Sequence, residues 1–333
     1  MKVISIQSIG DSSVLKINKI NKPSIVNDDD LLIKIKAASI NPIDIKLRSG
    51  LYPIKKFPAI LGCDGAGTIE KTGSMVKNFK KGDAVFFFHG GFENIQGNYA
   101  EYKVISEKFV AHIPKSLSFE EAAAAPLALI TAWESLFFHA KIEKGSKIFI
   151  NAGAGGVGHL AIQLAKSKGA IVFTSISNRD KENFVANLGA DHIYNYKELD
   201  ENEIQKNILE LSNNEGVDIS LDNVGGDEIS NLISKTKNYG QIVTLLQPSS
   251  NIDWSLARFK NLKLSFEVML TPQLYNLKAK QIEQTNILKK CSELFDSGKL
   301  KIHVDNILPI ENIAQAHEII EDGHAMGKIV IVT

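Results

Sequence analysis

The chain has 333 residues, 44% hydrophobic and 23% charged, which is more than one core usually fills and speaks for two domains rather than a disordered, collagen-like or disulfide-built protein. Lys plus Arg and Asp plus Glu both number 38, so no net field draws a polyanion and nucleic acid is not an expected partner. No apolar run approaches the roughly eighteen residues of a spanning helix, and Met1-Lys2-Val3-Ile4-Ser5-Ile6 alternates like a strand instead of opening a signal peptide, so a cytoplasmic protein without membrane insertion is expected.

In chain order, residues 31–38, 67–71 and 82–86 are short, β-rich and punctuated by Gly and Pro, so the first third reads as a β-rich unit. The character changes near Ser118, where 120–125 is an Ala-rich helix start. A strand at 147–150, a helix at 156–168, a strand at 171–174, a helix at 181–188 and a further strand from Asp191 follow. Residues 218–221 and 241–245 are apolar runs of the length buried on both faces of a parallel sheet. This alternation lasts to about Leu264 and spells a βαβ domain. From about Val268 the tail mixes one long polar helix with a closing strand at 328–332.

Asn151-Ala152-Gly153-Ala154-Gly155-Gly156-Val157-Gly158 contains G-x-G-x-x-G between a predicted strand and a predicted helix. Glycines there allow a tight turn and let the backbone approach a pyrophosphate, whose charge the helix end stabilises; Gly153, Gly155, Gly156, Val157 and Gly158 are therefore candidate cofactor residues. An NAD site usually carries a carboxylate at the end of the second strand to accept from the ribose 2′-hydroxyl. Here 175–177 hold none, and Ser177, Asn178, Arg179 and Lys181 follow, a set that suits the 2′-phosphate of NADPH. The alternative is that Arg179 and Lys181 are solvated residues at a helix start, partly offset by Asp180.

Several strings together resemble the zinc-free quinone oxidoreductases of the medium-chain dehydrogenase/reductase family, over nearly the whole chain. They are Ala38-Ser39-Ile40-Asn41-Pro42-Ile43-Asp44, Gly62-Cys63-Asp64-Gly65-Ala66-Gly67, Gly97-Asn98-Tyr99-Ala100-Glu101-Tyr102, Pro126-Leu127-Ala128-Leu129-Ile130-Thr131-Ala132-Trp133, the Gly-rich loop, and the tail Ala316-His317-Glu318 with Gly327-Lys328-Ile329-Val330. The resemblance implies an α/β fold: a Rossmann domain with a doubly wound parallel sheet, and a GroES-like β-rich catalytic domain. With the change of pattern, it places the GroES-like catalytic domain at 1–124, the NADP-binding Rossmann domain at 125–267, and a return to the catalytic domain at 268–333. Carried over by position, Asn41 and Asp44 belong to the string that lines the nicotinamide and substrate pocket in the interdomain cleft. Thr131 lies beside the nicotinamide ribose, Asn223, Val224 and Gly225 pass under the cofactor, and Lys181 and Tyr196 grip the adenosine phosphate. A plain turn at Asn41-Pro42 and a surface strand residue at Tyr196 are the simpler alternatives. A homodimer joined through the nucleotide domains is also implied.

Alcohol dehydrogenases of this family hold a catalytic zinc with two cysteines and one histidine. At those places the sequence reads Asn41, Cys63 and Leu127, and its two cysteines, Cys63 and Cys291, cannot build a four-cysteine lobe, so no zinc is expected. Cys63 reads as a small buried residue or a reactive thiol, and His89, beside Gly90-Gly91, as a turn residue or one at the cleft entrance. Without a Lewis acid the acceptor must already be electrophilic, which fits quinones and α,β-unsaturated carbonyls. Tyr52 is the candidate proton donor, with water as the alternative. Two other readings share the fold: a 2-enoyl thioester reductase, for which no basic patch is obvious, and a non-catalytic nucleotide- or RNA-binding protein, which the neutral charge disfavours.

Overall fold

A computed structural model describes residues 1–323 and 325–333. The chain divides into two compact units, one made of Met1–Ile130, Leu270–Gly298 and Ile302–Thr333, the other of Thr131–Met269 and Lys299–Lys301.

The first unit begins with a two-stranded ribbon, β1 (Lys2–Ser5) and β2 (Lys16–Lys19). Its main sheet is built on β3 (Asp30–Ile40), whose neighbours are β4 (Asp64–Thr72) and the chain's closing strand β15 (Lys328–Val332), with β6 (Tyr102–Ser106) also paired to its first half. Beyond β4 lie β5 (Ala84–Phe88) and β7 (Ala111–His112), and beyond β15 lies β14 (Val304–Pro309). The alternating side chains of these strands send Leu31, Ile33, Ile69, Val85, Phe87 and Ile105 into one core, each such burial contributing about 1.5–3 kcal/mol. Gly67 is required where β3 and β4 cross a register shift, because a Cβ there would lie 2.2 Å from the Lys34 carbonyl. The β-rich expectation holds for the first third of the chain, and its first helix, α1 (Pro42–Arg48), starts where Asn41-Pro42 permits a turn, since proline is equally at home in a helix's first turn. A second helix, α2 (Phe119–Ala124), is capped by Ser118, whose hydroxyl accepts from Glu121 N–H while the Glu121 carboxylate accepts from Ser118 N–H, and α3 (Pro126–Trp133) follows it.

The second unit is a six-stranded parallel sheet. Its strands are β8 (Lys147–Ile150), β9 (Ile171–Ile176), β10 (His192–Asn195), β11 (Val217–Asp222), β12 (Thr236–Thr244) and β13 (Lys263–Phe266), in the spatial order β10-β9-β8-β11-β12-β13. That is the doubly wound order, with the reversal beside β8 where dinucleotides bind. Helices α4 (Gly158–Ser167), α5 (Arg179–Asn187), α6 (Glu201–Leu211) and α7 (Glu228–Lys235) connect them. Phe149, Phe173, Ile204, Ile208, Leu232 and Ile242 fill the core between sheet and helices. Among the described residues no helix is long and apolar enough to cross a membrane.

Candidate functional site

The Gly-rich turn between β8 and α4 uses its glycines for two purposes. Gly153 and Gly158 serve the fold itself, since a Cβ would lie 1.9 Å from Thr174 Oγ1 at the first and 2.4 Å from the Ala152 carbonyl at the second. Gly155 is different: a Cβ there would lie 3.2 Å from the Ala152 carbonyl, which a small shift relieves, so the protein's own packing does not demand glycine. Gly155, Gly156 and Val157 are half-buried on the outer side of the turn, where backbone can meet a ligand.

At the neighbouring strand end Asp222, fully buried, organises the loop after β11. Its carboxylate accepts from Val224 N–H at 3.0 Å, Gly225 N–H at 2.9 Å, the Asn151 side-chain amide at 3.0 Å and Thr244 Oγ1 at 2.7 Å. Gly225 needs no side chain at φ +74°. Asn223 donates through Nδ2 to the Asn151 carbonyl at 2.8 Å, yet its buried Oδ1 has no partner. A buried acceptor without a donor is costly. A nicotinamide dinucleotide, rich in hydroxyl and amide donors, fits this arrangement.

At the end of β9, Asn178 caps α5, its side chain accepting from Lys181 N–H at 3.1 Å, and Lys181, 9% exposed, lays its Nζ 3.1 Å from Ser177 Oγ. Ser177 and Lys181 thus form one group. Arg179 stands apart, with its side chain 80% exposed and paired to Glu198 at 3.0 Å. Tyr196 is half exposed beside Lys197, and Thr131 is buried near the start of the unit.

In the first unit the family strings converge on two buried acids. Asp64 accepts from Ser39 Oγ at 2.8 Å and Asn41 Nδ2 at 2.9 Å on one oxygen, and from Leu127 N–H at 2.9 Å on the other. Lys328 Nζ donates to Asn41 Oδ1 and to the Ile40 carbonyl, placing a buried ammonium next to the same network. Burial pushes Asp64 up and Lys328 down, in each case ahead of their mutual attraction. Asp44 accepts from Asn41 N–H at 2.9 Å, Gly62 N–H at 3.2 Å and Cys63 Sγ at 3.6 Å, and burial raises it to about 6. Asn41 and Asp44 therefore turn inward and bond to protein, while Tyr52 is half exposed, with Lys46 Nζ 5.8 Å from its ring centre. Tyr99, edge-on to His317, meets Asp44 from the other side, and His317 is kept neutral by burial, at about 3.

Zinc does not fit here. The three places supply an amide committed to Asp64 and Lys328, a leucine, and a thiol that burial and two carboxylates push well up, so no thiolate faces a vacant tetrahedron. Among the described residues no group of three or more His, Cys, Asp and Glu side chains is placed to hold a metal. His89 is half-buried beside Gly90 and Gly91, its ring stacked on Phe109 with centroids 5.4 Å apart, and burial holds its imidazole well below the usual value. Sequence reasoning named Asp64 and Lys328 only as parts of strings, and missed Lys103. That residue is buried and lowered to about 7, and it donates to the His89 and Gln96 carbonyls at both ends of one loop. A lysine in an alternating strand gave no signal, because such residues normally face water.

A parallel dinucleotide-type sheet and a GroES-like β unit together define the class of two-domain dehydrogenases and reductases. Residues 27–115 match the alcohol dehydrogenase GroES-like domain, and residues 188–331 match the family of zinc-binding dehydrogenases. A zinc-type alcohol dehydrogenase-like protein of Staphylococcus epidermidis is 33% identical over 312 residues, covering 91% of this chain and 90% of its own. The chain belongs to the medium-chain dehydrogenase/reductase superfamily, among its zinc-type alcohol dehydrogenase-like members, and is an NAD(P)H oxidoreductase of that family. The 2-methylene-furan-3-one reductase of Solanum lycopersicum is 33% identical over 340 residues, covering 99% of this chain and 79% of its own. The quinone oxidoreductase of Escherichia coli, solved in complex with NADPH, superimposes with a TM-score of 0.88 at 26% identity and full coverage of both chains.

Proposed function

We propose that the protein is an NADPH-dependent reductase of quinones or α,β-unsaturated carbonyls that works without a catalytic metal. The observation that carries the reading is that Asn41, at the position of a metal ligand in the alcohol dehydrogenases, is engaged with Asp64 and Lys328 instead, which favours an acceptor that is already electrophilic. NADPH would supply the hydride. Gly155, Gly156 and Val157 would receive the pyrophosphate, Asn223 Oδ1 would accept from the cofactor, and Ser177 with Lys181 would take the 2′-phosphate, in a place where a carboxylate would select NADH. Arg179, exposed and paired with Glu198, adds positive charge next to this group. The likeness to a furanone reductase and to an NADPH-bound quinone oxidoreductase supports the same substrate class.

Tyr52, half exposed next to Lys46, is the candidate proton donor, and an unchanged kcat in Tyr52→Phe would remove that role. Two free thiols, Cys63 and Cys291, agree with a reducing, cytosolic setting. The edge strand β13, with Phe266 and the nearby Phe259 exposed, is our candidate seam for a homodimer. The test is loss of NADPH absorbance with 1,4-benzoquinone, 9,10-phenanthrenequinone, an alkenal and crotonyl-CoA, each repeated with NADH and with EDTA. Turnover that prefers NADPH and ignores EDTA is expected; silence with every acceptor, or inhibition by EDTA, overturns the reading.

A further inference from the structure

The parallel-sheet unit carries a buried acid pair that the reading above does not use. The helix Pro126–Trp133 continues into a π-turn over Glu134–His139, in which Ala140 N–H reaches back to the Ser135 carbonyl at 2.9 Å. Such turns are uncommon and recur at functional sites. The five-residue repeat stacks Glu134 and His139 on one side, and both meet Glu267, the residue after β13. His139 Nε2 lies 2.9 Å from Glu267 Oε2, and the Glu134 and Glu267 carboxyls are hydrogen-bonded to each other. Two carboxylates placed together repel when both are ionised, so the pair favours holding one shared proton. Glu267 is 4% exposed, and burial together with the charge of Glu134 pushes its carboxyl far above the ordinary range. Burial also holds His139 below its usual value, which favours the neutral imidazole beside the pair. Glu134 and His139 are the titratable groups facing Glu267. The adjoining strands bring the uncharged Gln241, which donates to the His139 carbonyl, and Ser265. With its side chain 33% exposed, His139 marks the side open to water.

Placement gives this pair its meaning. Glu267 N–H donates to the Thr244 carbonyl at 2.9 Å, extending the β12–β13 pairing and setting the pair at the carboxyl ends of the parallel strands. A dinucleotide lies along that edge, with one mononucleotide on each side of the first strand of a doubly wound sheet. Ser177 and Lys181 stand on the β9 side of β8, so Glu267 stands on the opposite side, that of the nicotinamide. Thr131 lies one turn before Glu134 on the same helix.

We propose that the Glu134–Glu267 pair is a proton store linked to the charge of the nicotinamide, keeping its shared proton beside the reduced ring and releasing it when the oxidised cofactor binds. The inference rests on the nicotinamide reading of the site. The oxidised ring carries one more positive charge than the reduced ring, and a nearby cation favours the fully ionised pair. Linkage then requires the oxidised cofactor to bind more tightly as pH rises, by up to about tenfold per unit relative to the reduced one.

Calorimetric titration of the intact protein with NADP⁺ and with NADPH, each in two buffers of different ionisation enthalpy, counts the protons directly. Release with NADP⁺ and none with NADPH is expected, with the difference lost in Glu267→Gln. Glu134→Gln, which changes the helix side of the pair, answers the same question if the first variant does not fold. Equal proton counts for the two nucleotides, or a difference that survives in the folded variant, overturns the proposal. Failure of both nucleotides to bind overturns the cofactor reading and this inference with it.

Discussion

Asp64 and Lys328 offer a sharp test of how the site is held together. Both are buried, and for both the loss of water outweighs their mutual attraction, so the charges persist because each is needed by its neighbours. Changing Lys328→Met leaves Asp64 with Ser39, Asn41 and Leu127 N–H as donors but no cation, and Asp64→Asn leaves a buried ammonium with only the Asn41 and Ile40 oxygens. Each single change should cost about 3–5 kcal/mol, the usual penalty for stranding one buried charge. The double variant removes both charges of this pair and leaves only Asp44 short of a nearby cation, so it should lose clearly less than the two single changes together, with a coupling above about 2 kcal/mol. Urea unfolding followed by far-ultraviolet circular dichroism of the four proteins measures this. Single losses that simply add, to within about 0.5 kcal/mol, would refute the network, because independent sites add.

Three further outcomes are expected. Burial lowers Lys103 to about 7 from an unfolded value of 10.5, so between those limits the unfolded chain holds the extra proton and stability rises with pH, by at most about 1.4 kcal/mol per unit; Lys103→Met should flatten that slope in thermal melts at several pH values. Gly153→Ala should destabilise the fold by about 2 kcal/mol or more through its clash with Thr174, whereas Gly155→Ala should fold normally and lose about tenfold in NADPH affinity, a contrast that paired melting and fluorescence titrations would resolve. Lys181→Ala should reduce the preference for NADPH over NADH by about tenfold in kcat/KM, and an unchanged ratio would dissociate Lys181 from the 2′-phosphate.

The parallel sheet was legible because strands buried on both faces appear as apolar runs, as in β8 (Lys147–Ile150) and the first half of β9 (Ile171–Ile176), and because the Gly-rich turn sits between strand and helix. Borders were less so. The helix expected from 156 starts at Gly158 because the turn closes through Gly155 N–H to the Ala152 carbonyl, and the one expected from 181 starts at Arg179 because Asn178 supplies its cap. The strand expected at 241–245 begins earlier, at Thr236, beside a register irregularity in β11. In the site, family position singled out Asn41 and Asp44, and the structure shows their side chains held inside the unit. Their partners could not be read locally, since Asn41 meets Asp64 and Lys328 across separations of 23 and 287 residues. Glu134 and Glu267 were hidden for the same reason, and because the π-turn that aligns them has no sequence period of its own.

The position of β15 between β14 and β3 also bears on how the protein is made. Ile40 and Lys328, neighbours in that sheet, lie 288 residues apart, so the second half of one edge of β3, beyond the stretch that β6 covers, stays bare while most of the remaining chain is synthesised. At ordinary translation rates that delay is roughly a quarter of a minute to a minute. The parallel sheet, nearly continuous between Thr131 and Met269, has all its strands well before then. Birth order thus runs opposite to chain order: the middle of the protein can be finished first, and its beginning must wait, with an open strand edge, for its end.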